Sequence, residues 1–255
     1  MRRQNSSGKL EICCYSVLSC RNAEVGGADR IELCAGMPEG GITAGYGTVK
    51  TALEQVSIPV YVMIRPRGGD FCFNETEKAA MLEDIKILKT LRPGGFVIGA
   101  LLPDGRLDLD TIQRQLEAIG DYPVTFHRAF DMCSDPDGAV SILAGLGIEN
   151  ILTSGLYQNA WEGLDNLARF SQIAAGKINI MAGSGVNPGN ILQIAETGVD
   201  AFHFSAKRTI ASPMIFRNGR IHMGGDKSVD EFATYEADTD LVRQAKSLIE
   251  TRSAG

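Results

Sequence analysis

The stretch VTFHRAFD, Val124 to Asp131, sets a histidine, an arginine and an aspartate directly behind an apolar β-type run, in a chain that has only three histidines. Imidazole exchanges a proton near neutral pH, so His127 is a candidate general acid or base, with the Asp131 carboxylate beside it as a second candidate. A histidine merely hydrogen-bonded at the rim of a fold is the plainer alternative. His203 occupies the same kind of position in AFHFSA, while His222 lies in a long polar stretch and reads as surface.

Two further runs mix carboxylates with thiols. LEICC carries Glu11 and Cys13, and RIELC carries Glu32 and Cys34. A spacing of two puts both groups on one face of a strand. Buried carboxylates need cationic or hydrogen-bonding partners, and Arg65, which ends VYVMIR, is expected to supply one. The cluster reads equally as an internal salt-bridge layer or as the catalytic acid and base, Glu11 and Glu32, beside a cationic clamp.

Other residues suit an anion. Arg65 and Arg67 in IRPRGGDF can clamp a carboxylate or phosphate with Asp70 orienting one guanidinium, or they can form a self-satisfied salt-bridged loop. Arg128 adds a cation beside His127. In MAGSGV, Gly183 and Gly185 free backbone N–H groups to cradle an anion, or serve only a tight turn. HFSAKRT contributes Ser205 with Lys207 and Arg208. Cys13 and Cys34, matched in parity on neighbouring strands, can hold a soft ion such as Cu(I), although buried cysteine is also a routine small hydrophobe.

The elements that must position these groups are legible as alternating runs. Strand candidates are Leu10–Cys14, Asp29–Cys34, Val60–Arg65, Gly95–Ala100, Val124–Arg128, Asn150–Ser154, Ile178–Gly183 and Ala201–Ala206. Amphipathic segments such as ETEKAAMLEDIKILKTL separate them. Asn74 with Glu77 makes a capping box, and Asp135-Pro136 and Asn187-Pro188 each set a cap residue before a proline suited to a first helical turn. Eight strand–helix units predict an α/β fold, a single (β/α)8 TIM barrel, with a doubly wound sheet as the competitor. Residues 1–9 read as a flexible tail and 10–255 as the barrel domain, with extended loops after strands 2 and 8. The carboxyl ends of the strands then form the functional mouth.

Composition narrows the partners. A formal charge of -6 over 255 residues argues against a nucleic-acid surface and leaves small anionic molecules as the expected ligands. No apolar stretch approaches the ~20 residues that cross a bilayer, so no membrane partner is expected. Six cysteines without a Cys-x-x-Cys motif favour free thiols and a cytoplasmic location.

The segments LEICCYS, GGADRIELCAGMPEGGITAGYG, VMIRPRGGDFCF, VTFHRAFDMCSDP, ILTSG and MAGSGV together resemble the signature segments of the copper homeostasis protein CutC family, from Leu10 to the terminal helix. The resemblance implies a cytoplasmic TIM barrel, a homodimer or higher homo-oligomer, tied to copper handling, with Cu(I) at Cys13 and Cys34 and no other cofactor. The carboxylates, arginines and histidines suit acid–base work on a small phosphorylated or carboxylated metabolite, and an enzyme of that kind is the alternative.

Overall fold

The computed structural model describes residues 8–221 and 230–254, so His222 and most of the N-terminal tail lie outside the described residues. Eight parallel strands close into a barrel: β1 (Lys9–Cys14), β2 (Arg30–Leu33), β3 (Val60–Met63), β4 (Gly95–Ile98), β5 (Val124–Phe126), β6 (Asn150–Thr153), β7 (Asn179–Ala182) and β8 (Ala201–Phe204), with β8 pairing back onto β1. Eight helices accompany them: α1 (Val17–Val25), α2 (Tyr46–Gln55), α3 (Glu75–Lys89), α4 (Leu109–Ile119), α5 (Pro136–Gly145), α6 (Leu164–Ala174), α7 (Ile191–Ala195) and α8 (Thr239–Ala254). The TIM barrel expected from the alternation is the fold found.

Period-2 alternation divides each strand between two cores. Leu10, Ile12, Ile31, Leu33, Val60, Val62, Phe96, Ile98, Phe126 and Phe202 point outward into the main apolar cluster beneath the helices. The opposite parity fills the lumen, where Cys13, Cys34, Tyr61, Met63 and Val97 make one cluster and Leu152, Met181 and Ala201 another. Both faces are buried, which is why the strands read as nearly continuous apolar runs interrupted by polar residues of one parity.

Local signals set the helix starts. Asn74 and Glu77 form the capping box of α3, and the Asp135 side chain accepts from Gly138 N–H ahead of Pro136 in α5. The helix expected at Asn187-Pro188 begins later, at Ile191. Asn187 instead closes a turn on itself, its side chain accepting from Gly189 N–H and its carbonyl from Asn190 N–H. The region after strand 8 also differs from a plain loop. It holds an antiparallel pair, β9 (Lys207–Ala211) and β10 (Ala233–Ala237), which the sequence reading missed because β9 is largely exposed and shows no clean alternation. β1 ends at Cys14 as expected and the other paired strands end one or two residues before the expected runs do, so Arg65, His127, Ser154, Gly183 and Ser205 stand just above the sheet, at the mouth.

Candidate functional site

Strand register decides which charges meet. β1 and β2 pair Glu11 with Arg30 and Cys13 with Glu32, while β1 and β8 pair Glu11 with His203. Glu11 therefore lies between a guanidinium and an imidazole: Arg30 Nε donates to Oε2, and His203 Nδ1 sits 2.7 Å from Oε1. Burial alone would raise the Glu11 pKa, but Arg30 and His203 outweigh it and hold the group at about 2. Arg30 also stacks 4.2 Å from the Tyr61 ring centroid. The partner expected for Glu11 was Arg65; the register gives that role to Arg30, which shares the inward parity of Glu32. Glu11 belongs to an internal salt-bridge layer that holds the His203 ring.

Above this layer the Cys13 thiol converges with Glu32 and His203. Ligand atoms of Cys13, Glu32 and His203 all lie within 4.8 Å of one another. Cys34 Sγ donates to Glu32 Oε2 at 3.4 Å, and His203 Nε2 is 3.7 Å from the same oxygen. The neighbouring Cys34 thiol, working against burial and helped by His203, draws the Cys13 thiol well below its ordinary pKa. Cys34 as the donor is pushed up. Burial and then Cys13 push Glu32 up, and Glu32 with Cys13 and Glu11 overcomes burial to raise His203. This arrangement can deliver two soft donors and an imidazole to a metal, or a thiolate beside an imidazolium to a substrate.

The facing wall comes from β3 and β5. Arg65 turns its Nη groups to backbone carbonyls, Nη1 to Glu39 and Gly41 and Nη2 to Gly69, while its Nε has no partner. His127 caps the 3-10 turn Arg128–Met132, its Nδ1 accepting from Ala129 N–H at 3.1 Å. The ring proton consequently sits on Nε2, and that atom is buried without a partner. Burial, then Arg65, lowers the His127 pKa to about 3, so the ring is a neutral hydrogen-bond donor at neutral pH rather than a proton shuttle. Gly99 leaves room for it, since a Cβ there would lie 2.4 Å from His127 Cε1. These residues enclose a cavity of about 260 Å³ whose lining includes Cys13, Glu32, Arg65, His127, His203 and Ser205.

Some predicted residues stand elsewhere. Asp131 accepts from Arg128 Nε, the Thr153 and Ser154 hydroxyls, and Ser154 and Leu156 N–H, so its oxygens anchor the turn after β5 and it does not line the cavity. Arg67 is bound to Glu77, Asp70 and the Cys72 carbonyl, the self-satisfied loop. Arg128 and Gly185 reach the cavity; Gly183 does not, and its N–H donates to Thr153 O. Ser184 and Gly185 both adopt positive φ, 69° and 72°. Residue patterning brings out His203 without a role and does not bring out Arg30, Tyr15 or Phe71. Parity on β2 was the available signal for Arg30.

Residues 8–208 match the CutC family. A CutC family protein of Photorhabdus laumondii is 44% identical over 241 residues, covering 94% of this chain and 97% of its own length. One from Porphyromonas gingivalis is 42% identical over 243 residues, with 95% and 98% covered. A crystal structure of a Streptococcus agalactiae protein assigned to copper homeostasis as CutC superposes with TM-score 0.74 at 33% identity, covering 78% of this chain and 98% of that one. A thiamine phosphate pyrophosphorylase from Pyrococcus furiosus, 16% identical with TM-score 0.59 and 98% of each chain covered, shares the fold alone.

Proposed function

The chain belongs to the CutC family, whose name ties it to copper homeostasis, and from that premise we propose that it holds Cu(I) between the Cys13 and Cys34 thiols. The observation that carries this reading is the convergence of Cys13, Glu32 and His203 at the lumen end of β1, β2 and β8, with Cys34 hydrogen-bonded to Glu32. Two thiols with an imidazole within reach fit the soft, low-coordination preference of Cu(I), which supplies no acid–base chemistry of its own here. Glu32 Oε2 accepts from the Cys34 thiol and orients it, and Glu11 keeps the His203 ring oriented through Nδ1.

The test is an anaerobic competition titration of Cu(I) against a chromophoric chelator. One-to-one binding in the parent that is lost in both Cys13→Ser and Cys34→Ser supports the site; binding indifferent to either substitution sinks it. In this reading the chain works in the cytoplasm, where its free cysteines stay reduced, and as a homodimer or higher homo-oligomer, which sedimentation velocity checks.

A second reading is favoured by a separate observation, the unpartnered polar atoms of Glu32, Arg65 and His127 on the cavity wall. They suit an enzyme that acts on a small phosphorylated or carboxylated metabolite at the same mouth. Cys13, His203 and Glu32 are its proton-handling groups, and turnover abolished by His203→Gln would support it.

A further inference from the structure

Among the described residues five buried side-chain polar atoms lack any partner, and three of them, Glu32 Oε1, Arg65 Nε and His127 Nε2, belong to residues lining one cavity. Their residues are 2%, 5% and 2% exposed, so water at the surface does not satisfy them. Buried polar groups are normally paired, and an orphan is costly. Three facing one cavity describe a site shaped for something that pairs with them.

The chemistry of the three atoms defines that ligand. The Arg65 guanidinium meets only backbone carbonyls through its Nη groups, and no ion pair is formed by it among the described residues. It is a buried cation whose counter-charge must come from elsewhere. His127 presents a single N–H, fixed on Nε2 by the Ala129 hydrogen bond. Phe71 packs against both, its ring 4.7 Å from Arg65 Cζ and 5.0 Å from the His127 centroid. Arg65 and His127 together offer one cation and one neutral donor, which matches a monoanion with two oxygens, while the other cations at the cavity are already engaged, His203 by Glu11 and Arg128 by Asp131. A dianion would bring a second charge that finds no unengaged cation there. Glu32 Oε1 is left to bond a hydroxyl or amino group on the neighbouring carbon. The volume, about 260 Å³, is below the ~300–1,000 Å³ of drug-sized sites and restricts the ligand to a few carbons.

We propose that the barrel mouth binds a small 2-hydroxy- or 2-amino-carboxylate, its carboxylate bridged between Arg65 Nε–H and His127 Nε2–H and its 2-substituent bonded to Glu32 Oε1. This rests on the second reading, in which the mouth takes a small anion, and names the anion as a carboxylate.

The experiment uses the full chain, reduced and metal-free, titrated calorimetrically with glycolate, lactate and serine, with inorganic phosphate in parallel. In the same samples the His127 Nε2–H resonance is followed by long-range proton–nitrogen NMR. His127→Asn is the variant, because the Asn side-chain oxygen can still accept from Ala129 N–H while the Nε2 donor is gone. The expected result is saturable one-to-one binding of at least one carboxylate that moves the His127 resonance. Binding should weaken about tenfold or more in H127N. No saturable binding, phosphate preferred over every carboxylate, or an unmoved His127 resonance overturns the proposal. If H127N fails to fold, the resonance in the parent decides. Binding without turnover of any bound acid would fail the enzyme reading while leaving the site in place.

Discussion

At the scale of single residues, the lumen is governed by where each charge finds its partner. Glu11 and Arg30 are both almost wholly buried and face each other across β1 and β2. Removing one member of such a pair leaves the other charge unpaired in a poor dielectric, which costs about 3–5 kcal/mol. Glu11→Gln should therefore destabilise the protein by about that amount in urea unfolding, although the substitution changes shape very little. A loss below ~1 kcal/mol would mean that Arg30 finds another acceptor and that the layer is not what holds His203. Arg65 is the contrasting case. It already lives without a carboxylate, and its three backbone carbonyl contacts are what keep its guanidinium in place.

Elements convert these local preferences into aim. β4 contributes little chemistry itself, yet Gly99 just beyond its end lets the His127 ring lie against the backbone. Gly99→Ala would put a methyl 2.4 Å from Cε1 and 2.5 Å from Nδ1, which is also the atom that caps the turn after β5. The expected outcome is a loss of about 1–3 kcal/mol together with a displaced His127 Nε2–H resonance. An unchanged resonance would show that the turn absorbs the methyl without moving the ring. The capping box of α3 and the Asp135 cap of α5 were readable because each needs only neighbours within one turn. Asn187-Pro188 had the same dipeptide signal and failed, because Asn187 satisfied its own turn first.

For the whole molecule, closure of β8 onto β1 is what brings His203 to Glu11, residues 192 apart in sequence. The β9–β10 pair stands outside that closed sheet, and Ala211 and Ala233 are register partners at its far end. Replacing residues 212–232 by an Asn-Gly turn should leave the barrel intact, with its thermal transition shifted by no more than about 4 °C. Cu(I) titration of this variant should match the parent. A collapsed transition would mean that the excised stretch braces the mouth. The C-terminal side is tied down independently of it, by Asn22 donating to the Ala237 carbonyl and by Lys246 on Asp29.

The barrel is legible in the chain alone, because eight repeats of a buried strand and an amphipathic helix leave few other ways to cover both faces of the strands. The chain alone also determined which parity of each strand faces the lumen, and so selected Glu11, Cys13, Glu32, Cys34, Arg65 and His127 as candidates. Only the tertiary structure decided who meets whom. Register offset each strand against the next, so Glu11 went to Arg30 and not to Arg65, and Glu32 went to the thiols. Asp131 turned to the backbone after β6, and His203 became the centre of the cluster. Those pairings depend on shear around a closed sheet, a property that no stretch of chain carries alone.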